Sequence, residues 1–267
     1  MVGQARGGKD GGVMRKLIKT IILWIGAIIK HDASPKVVFY HDIGTAYTPM
    51  GTDLQVFKEH MKILGVGERG RCREDVICFD DGFRGLWDHR EMLREVKAKG
   101  EGEQRRVKVF IAVGLVGKPG YLTWDEMRIL QNDYGVDFQC HTWSHQTLVG
   151  PWNEDDVPRE PRTEAWYERE LVLSREEIAR QLGVGCRCSV DELCFPVGYF
   201  SDELIERCKK AGYRKVYASY PGNLDEGEGY VQPRCLVQDL SPMGLRAVLS
   251  GGMNLFKDRY YRRQRIA

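Results

Sequence analysis

Short apolar runs alternate along the chain with longer stretches in which apolar residues recur every three or four positions. The short runs predict strands at residues 36–40, 76–79, 107–113, 136–140, 193–195, 215–219 and 235–237. The intervening stretches predict helices, as at residues 53–64 and at about residues 85–99. Repeated strand–helix units build parallel sheets. Seven units favour a closed or distorted barrel over an open sheet, although periodicity alone does not decide between them.

The predicted barrel has a distinct segment at each end. Residues 1–13 are glycine-rich and are predicted to be a disordered leader, and residues 14–35 are predicted to be an apolar helix. The apolar stretch of this helix, residues 17–29, is shorter than the roughly 20 residues that cross a bilayer. A membrane-surface helix, a signal-anchor and a helix docked on the core all fit it. The barrel is predicted over residues 36–252, and a solvated basic tail over residues 253–267. A nucleic-acid or anionic-membrane contact through the basic residues of 257–265 is the alternative for this tail.

Composition limits the partners and the compartment of the protein. A net charge of +2 over 267 residues predicts no nucleic-acid partner. The eight cysteines contain no Cys-x-x-Cys pair, so free thiols in a reducing cytoplasm are expected. The prediction is therefore a cytoplasmic protein at the membrane face, with peripheral membrane contact through residues 17–29. Export with an N-terminal signal-anchor is the alternative, and the sequence predicts no oligomeric state.

Histidines and an adjacent pair of carboxylates follow directly after predicted strands. His41 follows the first strand, Asp80 and Asp81 follow the second, and His141 and His145 follow the fourth. Catalytic residues gather beyond the carboxyl ends of parallel strands. Two histidines four positions apart can face one metal, and a single further carboxylate leaves a coordination position open, as in catalytic zinc sites. The sequence therefore predicts a catalytic divalent-metal site, with a pair of surface histidines as the alternative.

Two motifs at these strand ends resemble those of a known family. Cys78-Phe-Asp-Asp-Gly82 and His141-Thr-Trp-Ser-His145 are similar to the metal-site motifs of polysaccharide deacetylases, which form carbohydrate esterase family four. The similarity covers about residues 36–240. It implies an α/β fold, a distorted (β/α)7 barrel in a single domain. It also implies a hydrolase that acts on carbon–nitrogen bonds other than peptide bonds.

The resemblance assigns roles to the residues at the strand ends. It implies that Asp80 is the general base and that a divalent metal, expected to be zinc, is held by Asp81, His141 and His145. The chemistry agrees with this division, because a bound cation lowers the pKa of water enough for a nearby carboxylate to take its proton. The reaction implied is hydrolysis of an acetamide.

The chain departs from the family pattern at two places. Its third motif, Phe195-Pro-Val-Gly198, lacks the usual arginine and central tyrosine, so the backbone N–H of Val197 is predicted to be the oxyanion donor. Arg234 is the candidate for orienting the catalytic base, with an ordinary surface arginine as the alternative. No histidine occurs after His145. His41 therefore fits a permuted subgroup with the catalytic histidine near the N-terminus and is predicted to be the general acid, with a buried structural histidine as the alternative.

The predicted function is a metal-dependent N-deacetylase of an N-acetylated amino sugar, in a glycan or a glycan precursor. A non-catalytic carbohydrate-binding relative and a deacylase of non-sugar amides are the alternatives. Residues 149–166 form a long connection at the barrel end that carries the predicted site, and such loops tend to shape substrate clefts. Trp143, Trp152 and Trp166 are candidates for stacking on sugar rings, with local packing as the alternative.

Overall fold

The computed structural model describes residues 9–65, 75–95, 107–150, 161–183, 189–224 and 229–266. Its strands are β1 (Val37–Tyr40), β2 (Asp42–Ile43), β3 (Gly51–Thr52), β4 (Val76–Phe79), β5 (Val107–Ile111), β6 (Asp137–Cys140), β7 (Glu192–Cys194), β8 (Lys215–Ala218), β9 (Val231–Pro233) and β10 (Cys235–Leu236). Eight of these strands form one parallel sheet in the order β10-β1-β4-β5-β6-β7-β8-β9, and β2 and β3 pair separately. All seven predicted strands are present.

Helices cover the sheet between most of the strands. They are α1 (Lys9–Ile29), α2 (Leu54–Gly65), α3 (Gly85–Asp88), α4 (Trp124–Tyr134), α5 (Glu164–Tyr167), α6 (Ser174–Leu182), α7 (Asp202–Lys210), α8 (Pro242–Leu249) and α9 (Lys257–Gln264). A π-helical segment, Glu168–Leu173, joins α5 to α6. Within the described ranges, no helix combines the length and apolar content that crossing a membrane requires.

The sheet nearly closes into a barrel through its last two strands. β9 and β10 are separated only by Arg234, yet β9 pairs with β8 at one edge of the sheet and β10 pairs with β1 at the other. This short segment therefore brings the two edges together and confirms the distorted barrel. The pattern did not predict β9, because the sequence Val231-Gln-Pro233 is polar at its centre and ends in proline, which is rare inside sheets.

Alternate residues of each strand face the helices and the barrel interior. In β1, Val38 and Tyr40 belong to the large cluster that packs under the helices, whereas Val37 and Phe39 belong to a smaller cluster inside the barrel. The floor of the interior is ionic: Lys108 Nζ lies 3.1 Å from Asp137 Oδ2 and 2.6 Å from a Glu192 carboxylate oxygen. The interior is thus filled, and the open end available for chemistry is the carboxyl end of the strands.

Two predicted segments differ from the structure. In place of the long helix predicted from residue 85, the structure has the short helix α3, which ends at Asp88. A 3-10 segment, Arg90–Glu95, follows it. The basic segment after residue 252 is not a solvated tail. It contains α9, whose Tyr261 ring contacts Phe200 and Tyr220, with ring centroids 5.7 and 5.1 Å apart. These aromatic contacts fix the basic helix on the barrel.

The N-terminal boundary also differs. α1 begins at Lys9, inside the predicted leader of residues 1–13, and residues 1–8 lie outside the described part of the chain. Leu23 and Ala27 of α1 are buried, and a Cβ at Gly26 would lie 2.3 Å from the carbonyl oxygen of Gly252. The helix is therefore docked on the segment that follows α8, which is one of the three alternatives that the sequence left open.

Candidate metal centre

The three predicted metal ligands lie together at the carboxyl end of the barrel. Asp81 follows β4, and His141 and His145 follow β6, with β5 between the two strands. One ligand atom from each residue lies within 4.8 Å of the others. Nε2 of His141 and Nε2 of His145 lie 3.4 and 2.9 Å from Asp81 Oδ1. Metal–ligand bonds of about 2.0–2.2 Å can bridge atoms at these separations.

The donor atoms of this cluster fit a divalent cation. Asp81 Oδ1 is buried and accepts no hydrogen bond of good geometry from the described residues, although His145 Nε2 lies 2.9 Å away. The Nδ1–H of His141 donates to the carbonyl oxygen of Cys194 at 2.8 Å. This hydrogen bond fixes the tautomer and leaves the Nε2 lone pair free to bind a metal.

The electrostatics of the cluster keep Asp81 ionised. Burial alone would raise the pKa of this carboxyl, but its interactions with His145 and His141 outweigh burial and hold the pKa well below its usual range. Burial lowers the pKa of His145, and the Asp81 carboxylate more than offsets this, so that the pKa is raised. A negative charge enclosed by two imidazoles is what a bound cation requires.

The backbone is strained at several positions in and next to this site. The described non-glycine residues with positive φ are Asp81 at 70°, Thr142 at 69°, His145 at 60° and Val197 at 62°. The left-handed conformation costs such residues roughly 1–2 kcal/mol each, and strain of this kind concentrates at functional sites. All four residues lie in the three motifs that the sequence singled out.

A buried carboxylate holds the strained loop that carries the histidines. Glu170 Oε2 accepts hydrogen bonds from the backbone N–H groups of Trp143, at 3.0 Å, and of Ser144, at 2.8 Å. Glu170 lies in the π-helical segment, where π-turns often mark functional sites. Sequence reasoning did not find this residue, because it is one of several charged residues in the segment Glu168-Arg-Glu-Leu-Val-Leu173.

Asp80 is oriented by a buried arginine. Arg234 Nη1 and Nη2 donate to the two carboxylate oxygens of Asp80, at 2.7 and 2.9 Å. The Arg234 side chain is 1% exposed and its guanidinium carbon lies 4.2 Å from the centre of the Phe39 ring. Burial would raise the pKa of Asp80, but the Arg234 charge, aided by His141 and His41, holds it below its usual range. The alternative of a surface arginine is therefore wrong.

His41 lies at the end of β1, which is the neighbour of β4 in the sheet. Its Nδ1 lies 2.6 Å from the amide oxygen of Gln238. An amide oxygen only accepts hydrogen bonds, so Nδ1 carries the proton and Nε2 is the basic nitrogen. The ring is half-buried, and its charge contributes to the lowered pKa of Asp80. Gln238 was not predicted, because nothing in its local sequence indicates a partner 197 positions away.

Val197 and Cys194 complete the lining of the site. Val197 lies in the 3-10 turn Pro196–Gly198 that follows β7, and its role as oxyanion donor stays a prediction. Cys194 Sγ lies 3.9 Å from Asp80 Oδ2. Cys194 forms a second candidate cluster with Asp80 and His141. Both carboxylate oxygens of Asp80 already accept hydrogen bonds from Arg234, which leaves the cation to Asp81 and the two histidines.

The predicted sugar-stacking residues have different positions. Trp143 is partly buried and packs against the core cluster. Trp166 is 3% exposed and is therefore unable to stack on a sugar ring. Trp152 lies outside the described residues. Of the three tryptophans, Trp143 alone keeps its candidate role within the described part of the chain.

Comparisons with known proteins agree with this site. The family described as polysaccharide deacetylase matches residues 68–216. Among solved structures, the fold is similar to that of the Streptococcus pyogenes deacetylase PplD in complex with acetate, with a TM-score of 0.63 and 16% identity over 81% of this chain and 98% of that chain. It is also similar to IcaB from Ammonifex degensii, with a TM-score of 0.63 and 16% identity over 84% and 98% of the two chains.

A third similar structure is BC0361, a polysaccharide deacetylase from Bacillus cereus, with a TM-score of 0.60 and 18% identity over 81% of this chain and 69% of that chain. At these identities the similarity to solved structures shows the fold. A search among curated proteins gives no match.

Proposed function

This chain belongs to the polysaccharide deacetylase family and is a carbohydrate deacetylase, a hydrolase of carbon–nitrogen bonds, and we propose that it acts on an N-acetylated amino sugar. The sugar belongs to a glycan or a glycan precursor, and the bond that is cleaved is the carbon–nitrogen bond of its acetamide. The observation that supports this proposal most directly is the position of the ion pair between Asp80 and Arg234. It lies beside the cluster of Asp81, His141 and His145. A base and a metal site are thus within reach of one bound amide.

The metal is proposed to be zinc, held by Asp81, His141 and His145. One carboxylate with two imidazoles is a ligand set of catalytic zinc sites, in which a coordination position stays open. When bound, such a cation supplies Lewis acidity, polarising the amide carbonyl and lowering the pKa of water. The orphaned oxygen of Asp81 and the fixed tautomer of His141 support this assignment.

The side chains of this protein are proposed to move the protons. Asp80, kept ionised by Arg234, accepts a proton from the attacking water. The backbone N–H of Val197 binds the oxygen on which negative charge develops. His41, in the form protonated at both ring nitrogens, donates the Nε2 proton to the leaving nitrogen, because an unprotonated amine anion is a very poor leaving group. Gln238 holds the imidazole ring of His41 in position for this step.

The protein is also proposed to work in a reducing compartment. The five cysteines in the described part of the chain are Cys78, Cys140, Cys194, Cys208 and Cys235, and each is a free, buried thiol. Free thiols persist where the cell keeps cysteines reduced. This supports a cytoplasmic location over export with a signal-anchor.

Acetate release from a panel of N-acetylated sugars tests the function. The panel contains N-acetylglucosamine oligomers of increasing length and an N-acetylated amino acid as the non-sugar amide. We expect turnover of at least one sugar, loss of turnover after chelation, and recovery when zinc is added. Sugar binding without acetate release would indicate a non-catalytic binding protein, and turnover confined to the amino acid would indicate a deacylase of non-sugar amides.

His41→Ala is expected to lower kcat by about a hundredfold, at the lower end of what losing a general acid costs. The metal content should not change, because His41 is not in the ligand cluster. The measurement is kcat with metal occupancy determined on the same sample. The exposed His31 provides a matched control, and His31→Ala should be neutral. A fall of less than tenfold in His41→Ala would remove this histidine from the mechanism.

A further inference from the structure

The outer face of α1 carries a long row of exposed apolar side chains. Their exposed fractions range from 45 to 77%, and they are Met14, Leu17, Ile18, Ile21, Ile22, Ile25, Ile28 and Ile29. Their spacing of three or four residues places them on one side of the helix. We call this row the apolar stripe. Soluble proteins rarely expose a continuous apolar surface of this kind unless it binds something.

The apolar stripe cannot turn inward, because the opposite side of α1 is already packed. Leu23 and Ala27 are buried there, and Gly26 approaches the backbone of Gly252 closely. Thr20 Oγ1 also lies 3.3 Å from Ser241 Oγ, the N-cap of α8. The helix is held against the body of the protein with its stripe facing out.

Positive charge lies along one border of the apolar stripe. A cavity of about 710 Å³ lies along this border, between α1, α9 and the paired strands β1 and β10. Ile18 and Ile22 of the apolar stripe line it. No carboxylate lines this cavity within the described residues. Four exposed cations do, namely Arg15, Lys19, Arg259 and Arg263, whereas Arg234 is buried and paired with Asp80. An apolar surface with cations at its border complements a layer of apolar chains beneath anionic head groups.

We propose that the apolar stripe and the cations beside it form a docking surface for an anionic phospholipid bilayer. The stripe lies in the boundary between head groups and acyl chains, with α1 parallel to the membrane plane. Arg15 and Lys19 of α1, together with Arg259 and Arg263 of α9, contact the phosphates. A second copy of this chain is a poorer occupant, because it would bring the same cations towards each other. A nucleic acid would leave the eight apolar side chains in water.

Sedimentation of the full-length protein with vesicles tests the proposal. The vesicles contain phosphatidylcholine either alone or mixed with phosphatidylglycerol. We expect binding that is tighter to the mixed vesicles. Ile21→Asp combined with Ile25→Asp should weaken binding to both kinds of vesicle by at least about a hundredfold, since two buried isoleucines are lost. Arg259→Gln and Arg263→Gln should each weaken binding to the mixed vesicles by about fivefold, and hardly affect binding to phosphatidylcholine.

Ile129→Asp is the matched control for the stripe variant. Ile129 is 42% exposed on α4, away from the stripe, so this variant should sediment like the wild type. All variants should keep the wild-type unfolding midpoint, and Ile21→Ser with Ile25→Ser provides a milder pair that should also lose vesicle binding. A wild type that stays in the supernatant would overturn the proposal. So would a wild-type dimer that dissociates in the stripe variant without any binding to vesicles.

Discussion

Asp80→Asn is expected to lower kcat by about 10⁴-fold, at the upper end of what loss of a general base costs. An asparagine amide has nearly the shape of the carboxylate but accepts no proton at neutral pH. The metal content should stay at the wild-type level, because Asp81, His141 and His145 form the ligand cluster without Asp80. The measurement pairs acetate release with metal analysis of the same sample.

Asp81→Asn is the matched comparison, since it makes the same chemical change at the adjacent position. This variant should lose both metal and turnover. If metal is lost from Asp80→Asn and retained in Asp81→Asn, the roles of the two aspartates are reversed. Asp80→Asn also leaves the Arg234 charge buried without a counter-charge, so its activity is to be measured at a temperature at which circular dichroism shows it folded.

Arg234→Met is expected to lower the free energy of unfolding by about 3–5 kcal/mol, because it leaves a buried carboxylate without its partner. Both Arg234 and Asp80 are almost fully buried, at 1% and 5% side-chain exposure. Arg234→Met combined with Asp80→Asn should be less destabilised than the sum of the two single changes, because no unpaired charge remains. Chemical denaturation of the four proteins measures this coupling.

The loss of stability in Arg234→Met should depend on pH in a defined direction. In the wild type the pKa of Asp80 is lower in the folded state than in the unfolded state. The ion pair therefore contributes its full stabilisation above the unfolded pKa, and this stabilisation is lost as pH falls through the folded pKa. In the variant, burial instead raises the pKa of Asp80, so the variant loses stability as pH rises. The difference in the free energy of unfolding between the wild type and Arg234→Met should therefore increase from acidic to neutral pH. Arg265→Met is the control: it removes an exposed ion pair with Asp202, and its free energy of unfolding should differ little from that of the wild type at any pH.

The sequence could predict those parts of the site that depend on the local pattern of apolar and polar residues. Buried parallel strands are nearly continuous apolar runs, so the ends of β4 and β6 could be placed, and with them Asp81 and His141. Glu170 and Gln238 were missed because each acts on a partner far along the chain, and helical spacing does not say which loop a side chain faces. The basic segment around α9 was mistaken for a tail because charge dominates its composition, whereas the contacts of Tyr261 decide its position.

The position of Arg234 between β9 and β10 links the chemistry to the order of folding. Asp80 and Arg234 are 154 positions apart, and closing a loop of that length costs more conformational entropy than forming local contacts does. Until the last two strands join the edges of the sheet, the Asp80 carboxylate lacks its guanidinium partner and the proposed base is not held in position. A refolding chain should therefore regain secondary structure well before it regains turnover. Incomplete barrels, whether newly synthesised or damaged, would be catalytically silent.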